Sequence, residues 1–306
     1  MAAPNRITRN FSMNSSRRPV LVLLLLVSGL GGCSELRGRH RAREGNRLYL
    51  EGNYEAAVRE YEAAEQFVPK LAPVVLNKGL AYRQLMVPGA KTPTNDRYVQ
   101  GALDAFKRLG EIAPGDPRAD QLYVQTLFDA DRFDALAERY QRDLQANPKN
   151  LAAINGLVQV YSRWDRWDDA LKWAERRADI ESHDAEAQYS VGVFIWNRLF
   201  QRGGSGDKAT YDPRAEPKQA PPPFGEGDIV GEQRVQLADQ GIRYLQRALA
   251  IRPSYREAMT YLNLLYRQKS IAFFDRPDDW KAAIDAAEKW RLEAAKLDSA
   301  HAGTGH

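Results

Sequence analysis

Few residues in this chain of 306 could carry out chemistry, and their spacing limits what they can do. The single thiol, Cys33, has no partner in its own chain with which to form a disulfide. The imidazoles are His40, His183, His301 and His306, two of them at the very end, so no cluster has the spacing of a metal site. Gly203, Gly204 and Gly206 lack the Lys-Ser/Thr and the helix start of a phosphate-binding loop. No G-x-S-x-G or H-E-x-x-H pattern occurs either. The carboxylate pairs Asp168-Asp169 and Asp278-Asp279 fall at predicted helix starts, where acids complement the helix dipole. The chain is therefore read as a non-enzyme, with no catalytic residue, no metal and no cofactor.

What remains is a surface, and the elements that must form it repeat. The stretch Gly52 to Pro69 reads as a short amphipathic helix, with a turn at Gly52-Asn53, small residues at Ala57 and Ala64, an aromatic at Tyr61 and a stop at Pro69. Such a helix cannot bury one face alone, which points to an array. Pro114 and Pro148 lie 34 residues apart, as do Phe106 and Tyr140, and Leu127, Tyr161 and Ile195 follow the same step. Asp116, Asn150 and Asp184 keep this beat as predicted N-caps, and Pro117 follows the first of them at a position where its missing N–H costs nothing.

Period and residue types together resemble the tetratricopeptide repeat, a helix–turn–helix unit. A first copy carries Gly45, Leu48, Tyr54, Ala57, Tyr61, Ala64 and Pro69; a second carries Gly79, Tyr82, Ala102, Phe106 and Pro114. The third runs from Pro117 to Asn150 and the fourth from Leu151 to Asp184. A fifth carries Val191, Gly192, Ile195, Leu245, Ala248 and Pro253, and a sixth Met259, Leu262 and Tyr266. The resemblance implies an all-α solenoid of about six repeats over residues 38–298, followed by a disordered tail at 299–306. Leu136, Asp143, Ala174, Ser182 and Gly241 depart from the pattern, which leaves helix register in those copies open.

The period breaks three times, each time in the turn inside a repeat. Pro69 to Pro114 exceeds it by 11 residues, placed around 87–95. Ser182 to Pro253 holds one period plus 37 residues, centred on 201–231, where Gly203-Gly204-Ser205-Gly206 and Pro221-Pro222-Pro223 cannot be helix interior. A shorter excess falls at 270–279. Loops of such length are usually functional or disordered, and the largest is read as either a partner-binding flap or a disordered excursion. Phe224 and Ile229 lean toward docking.

By the same resemblance, a groove lined by the first helix of each repeat holds an extended peptide or a helix of a protein partner. Residues projecting there are Asn46, Arg83, Gln125, Asn155, Gln159, Arg163, Tyr189, Trp196, Asn197 and Arg267. Amides and arginines can pair with peptide backbone and carboxylates, and Tyr and Trp can act as anchors. A solvated polar groove with no single ligand is the alternative. Trp164, Trp167 and Trp173 are expected to pack between repeats, with glycan binding as the alternative, and Trp280 and Trp290 to seal the last repeat.

Charge separates the array from its leader. Of 44 basic and 40 acidic residues, Arg6, Arg9, Arg17 and Arg18 belong to residues 1–32, which hold no acid; residues 33–306 are formally neutral. That argues against nucleic acid, which needs a dense basic face. Arg17 and Arg18 precede the apolar run from Pro19 to Val27, too short to span a bilayer, in the manner of a secretory signal. Leu30-Gly31-Gly32-Cys33 resembles the lipobox of bacterial lipoproteins. This implies removal of residues 1–32, lipidation of Cys33 and a short tether at 33–37. An ordinary cleaved signal beside an incidental cysteine is the alternative, and Met13 competes with Met1 as the start. Ser34 resembles the pattern sorted to the outer membrane, facing the periplasm. Arg37, Arg39, Arg41 and Arg43 around His40 have two readings, contact with anionic lipid head groups or the polar outer face of a terminal repeat. Two function classes result: a lipid-anchored envelope scaffold assisting a pilus or outer-membrane machine, and a cell-wall (glycan)-binding structural lipoprotein.

Overall fold

The computed structural model describes residues 18–202 and 227–303, and these are helix and connecting turn with no strand among them. The chain divides into two compact units at Arg132/Phe133. The first contains α1 (Arg18–Leu50), α2 (Tyr54–Phe67), α3 (Ala72–Leu85), α4 (Pro93–Ile112) and α5 (Pro117–Asp129). The second contains α6 (Phe133–Ala146), α7 (Leu151–Arg163), α8 (Trp167–Ile180), α9 (Ala185–Gln201), α10 (Gly231–Ile251), α11 (Arg256–Ser270), a 3₁₀ turn (Ile271–Phe273) and α12 (Pro277–Gly303). Within the units α1 packs on α2, α3 on α4, α7 on α8, α9 on α10 and α11 on α12, and successive pairs stack. This is the all-α helix–turn–helix repeat fold of tetratricopeptide type.

Local sequence sets the helix limits. Asp116, Asn150 and Asp184 accept from the backbone N–H of Arg118, Ala153 and Glu186, filling the orphan donors of α5, α7 and α9. Pro69, Pro114, Pro148 and Pro253 each stand two residues beyond the end of a helix, at Phe67, Ile112, Ala146 and Ile251. Where Ser182 replaces the proline, α8 still ends two residues earlier, at Ile180.

One steric device recurs inside the pairs. A Cβ on Gly45 would come within 2.7 Å of the Tyr61 ring, one on Gly79 within 2.5 Å of Phe106, and one on Gly192 within 2.5 Å of Leu245. In each case the first helix is hollowed so that the second can fill the space. Gly241 replaces the usual alanine because Leu265 and Ile195 already occupy that place, at 2.8 and 3.1 Å from a Cβ. In the fourth copy Val158 and Ala174 invert large and small, and the close approach moves to Gly156, which faces Tyr140. Leu136 is fully buried, so the third copy fills with bulk what others fill with alanine.

The period breaks are more ordered than loop composition suggests. Between α3 and α4 only residues 86–92 are irregular, because Pro93 and Thr92 start a helix, with Thr92 as its N-cap. Asn95, 5% exposed, ties that loop down: it accepts from the Val87 N–H at 2.7 Å and donates to the Val87 and Ala90 carbonyls at 3.0 and 2.8 Å. The segment 270–279 is not an open loop. Ile271 is buried, and Ala272 and Phe273 are buried beside Val235, Trp280 and Ala283, so its apolar content drives it inward.

Most of the largest break, including Phe224, lies outside the described residues, but its two ends do not. The Ile229 N–H donates to the Arg202 carbonyl at 2.8 Å. Arg234, with no exposed surface, donates to the carbonyls of Ile229 (3.0 Å) and Leu199 (3.5 Å) and to Gln268 (3.0 Å). Ile229 is therefore docked on its own unit.

Two terminal stretches also differ from expectation. Residues 33–37 lie within α1, which runs unbroken from Arg18, and α12 continues to Gly303, into residues expected as a tail. The residues Leu292-Glu293-Ala294-Ala295-Lys296-Leu297 just before that tail are strong helix formers, and they carry the helix forward. Trp280 and Trp290 are half-buried against the last helices, as expected of a seal. Among the described residues no helix is long and apolar enough to cross a membrane.

Candidate functional site

The ten groove candidates fall into distinct settings. In the first unit, Asn46 accepts from the Tyr61 hydroxyl at 2.8 Å and from the Asn77 amide at 2.9 Å, so it joins three helices. Arg83 of α3 forms an ion pair with Asp129 at 2.7 Å and donates to Gln125 at 3.1 Å. Arg83 and Gln125 are thus brought together, and their shared neighbour Asp129 was not picked out by sequence reading.

In the second unit, Asn155, Gln159 and Arg163 follow one another at four-residue spacing along α7. Asn155 is half-buried and the other two are exposed. None of the three, nor exposed Asn197 on α9, has a side-chain partner among the described residues. They are free to donate and accept.

Tyr189 and Trp196 belong to an aromatic patch on α9 and α11. Trp196 stacks on Phe200 (5.1 Å between centroids) and meets Tyr261 edge-on (5.1 Å), while Tyr189 meets Tyr261 at 5.6 Å and Tyr255 at 4.9 Å. Burial, with the neighbouring Tyr261, Glu186 and Glu257, pushes the Tyr189 hydroxyl up to about 12. Tyr255, which donates to Glu186, is raised too, first by burial and then by that carboxylate. Both phenols stay protonated donors at neutral pH. Phe200 and Tyr261 could have been found by extending the first-helix positions that gave Tyr189 and Trp196.

Arg267 is an interior residue, 8% exposed, rather than an open groove side chain. It donates to Asn263 at 3.2 Å and pairs with Glu288, which also pairs with Arg291 at 2.7 Å. Asn263 in turn donates to the Ala287 carbonyl at 2.8 Å, so an amide stands where the first, second and fifth copies carry Gly45, Gly79 and Gly192. Buried N–H groups at Arg83 Nε, Trp196 Nε1 and Arg267 Nη1 lack an acceptor among the described residues, and each belongs to the twelfth residue of its repeat. Water or a ligand carbonyl can satisfy such groups.

The tryptophans of the fourth copy are less buried than expected. Trp167 does pack between repeats, stacked on Phe194 at 5.6 Å. Trp164 stands just past the end of α7, 37% exposed, parallel to Tyr161 at 6.2 Å, with the Arg166 guanidinium over both rings. Trp173 lies under Arg176. Cys33 is exposed. No group of three His, Cys, Asp or Glu able to hold a metal ion occurs among the described residues.

No family model matches the chain. It is similar to the mitochondrial import receptor subunit TOM70 of Mus musculus and of Rattus norvegicus, each 28% identical over 142 residues. That alignment takes in 45% of this chain and 22% of either relative, so the chain spans about a fifth of the curated relatives it matches. Among solved structures, the crystal structure of MamA protein is 12% identical, with 88% of this chain and 96% of that one covered at a TM-score of 0.27. YrrB, described as a TPR protein with an unusual peptide-binding site, is 14% identical, with 72% and 88% covered at 0.33. None of these superpositions is close, and the repeat fold stands on the chain's own helix pairing.

Proposed function

We propose that this chain is a scaffold held in the bacterial cell envelope by lipid on Cys33, which captures another protein through the first-helix faces of its repeats. The observation that carries the reading is the row Asn155, Gln159 and Arg163, three polar side chains on one helix with no side-chain partner among the described residues. Amides and a guanidinium left unpaired on a helix surface can hydrogen-bond a peptide backbone or a carboxylate. The aromatic patch around Tyr189 and Trp196 supplies the kind of rigid contact on which binding energy concentrates. The likeness to part of an import receptor subunit is in keeping with a role in handling other proteins. Assistance to an outer-membrane or pilus machine, facing the periplasm, is the setting the leader favours.

A pull-down from detergent-solubilised envelopes tests this. The wild-type chain is expected to retain a stoichiometric protein, and the variant with Asn155, Gln159 and Arg163 all replaced by alanine to lose at least tenfold of that retention with unchanged helical circular dichroism. Undiminished capture by the triple variant would move the site off this face. A second reading, binding of cell-wall glycan, draws on the exposure of Trp164 and Phe200. Retention on purified peptidoglycan, without a protein partner, would favour it.

A further inference from the structure

Over residues 33–50 the leading helix has two faces, and among the described residues only one is used within the fold. Toward α2 it is hollow: a Cβ on Gly38 would lie 2.8 Å from Val68, and Gly45 receives Tyr61. The opposite side carries Leu36, His40, Arg43, Arg47 and Leu50 at alternating steps of four and three, which is one stripe of a helix. Leu36 is 70% exposed and Leu50 85% exposed, the two most exposed large apolar side chains described. They bracket a basic segment about 21 Å long at 1.5 Å per residue.

The ion pairing along this segment is selective. Arg39 is held by Glu35, Arg41 by Glu60, and Arg47 by both Glu44 and Glu51. Arg37 and Arg43, both exposed, have no hydrogen-bond or ion-pair partner among the described residues. His40, between them, lies near Glu44. Arg43 and the two bare leucines therefore share one stripe of α1, beginning three residues after Cys33, and Arg37 stands at its border, about 100° around the helix from Leu36.

We infer that this stripe of α1 lies on a bilayer surface bearing anionic head groups, with Leu36 and Leu50 at the acyl boundary and Arg37 and Arg43 against phosphates. Its composition is that of an interfacial helix, apolar residues flanked by basic ones, and its charge complements an anionic leaflet. A second copy of the same face fits less well, since it would set unpaired arginines against each other. The inference rests on the anchored reading above, because lipid on Cys33 puts the stripe within reach of the surface. The two readings of the basic segment then become one: the outer face of the terminal repeat is the face turned to the membrane.

The test uses the full chain with Leu50→Cys carrying a nitroxide, reconstituted in vesicles of phosphatidylcholine alone or of phosphatidylcholine and phosphatidylglycerol in equal parts. Flotation with the vesicles reads the anchor, and collision of the label with a water-soluble nickel complex reads the stripe. In anionic vesicles the collision rate is expected to fall several-fold below that in neutral ones, and Arg37→Gln with Arg43→Gln to restore it while flotation persists. A label equally open to nickel in both vesicle types, on a chain that floats, would overturn the docked face and leave the anchor standing. Protection that persists in neutral vesicles or in the double Gln variant would assign the face to protein contact and overturn it too. A chain that does not float at all would remove the anchored reading and this inference together.

Discussion

At the scale of single residues, the turn inside the repeat shows what the backbone demands. Gly52, Asp131 and Asp165 have φ of 77°, 54° and 55°, and all three are the fifteenth residue of their copies. A Cβ on Gly52 would meet nothing within 4 Å, so Gly52→Ala isolates the backbone cost, expected at about 1–2 kcal/mol in urea unfolding. A change within error would show that the turn relaxes freely. Glu288 offers a titration of the same kind. Its carboxyl is held below its ordinary value of 4.5, first by the hydrogen bond from Arg291 and, against partial burial, by that from Arg267. A lowered folded value means the stabilisation is complete above the ordinary carboxylate range and fades as pH falls through the lowered one. Glu288→Gln should therefore reduce stability near neutrality and flatten its decline in acid; parallel wild-type and variant curves would refute that. The helix caps were legible in the sequence because a cap is a local contact. Asn263 and Glu288 were not, because the amide's acceptor is a carbonyl 24 residues away and the carboxylate's buried partner, Arg267, read as a groove residue.

At the scale of elements, helix existence was plain from period and punctuation, whereas the order within the breaks near 87–95 and 270–279 was not. Composition near 87–95 and 270–279 shows proline, glycine and charge, but it does not show that Asn95 reaches two carbonyls or that Ile271 and Phe273 turn inward. Both outcomes depend on tertiary neighbours, which a local pattern does not contain. Arg234 is the strongest example: an arginine in a predicted helix is ordinarily solvated, and here it is fully buried at the neck between α9 and α10. Since Ile229 and Arg202 are already hydrogen-bonded there, replacing residues 203–226 by a pair of glycines is expected to leave the thermal midpoint within a few degrees of wild type. A drop beyond about 8 °C would mean that the removed segment contributes to the fold itself.

At the scale of the molecule, Cys33 and the array meet in one helix. The apolar run and Cys33 belong to α1, which goes on to form the first repeat, so under the proposed anchoring the lipid would adjoin the fold directly. Cys33→Ser is expected to abolish incorporation of labelled palmitate and move the protein from the membrane to the soluble fraction; unchanged membrane retention would end the lipid-anchored reading. The fold class was readable because the 34-residue spacing returns after each break, so errors in one copy are corrected by the next. The binding surface was only partly readable. The pattern pointed to first-helix positions, but whether a residue there is free, like Gln159, or consumed by its neighbours, like Arg83, is decided by packing.

The closed neck at Arg202 and Ile229 also has a practical use. Chain entering and leaving the fold there does so through two adjacent backbone groups, the geometry in which a foreign domain is tolerated. A fluorescent protein or an epitope grafted in place of residues 203–226 could report on the living cell with both termini of the native chain untouched.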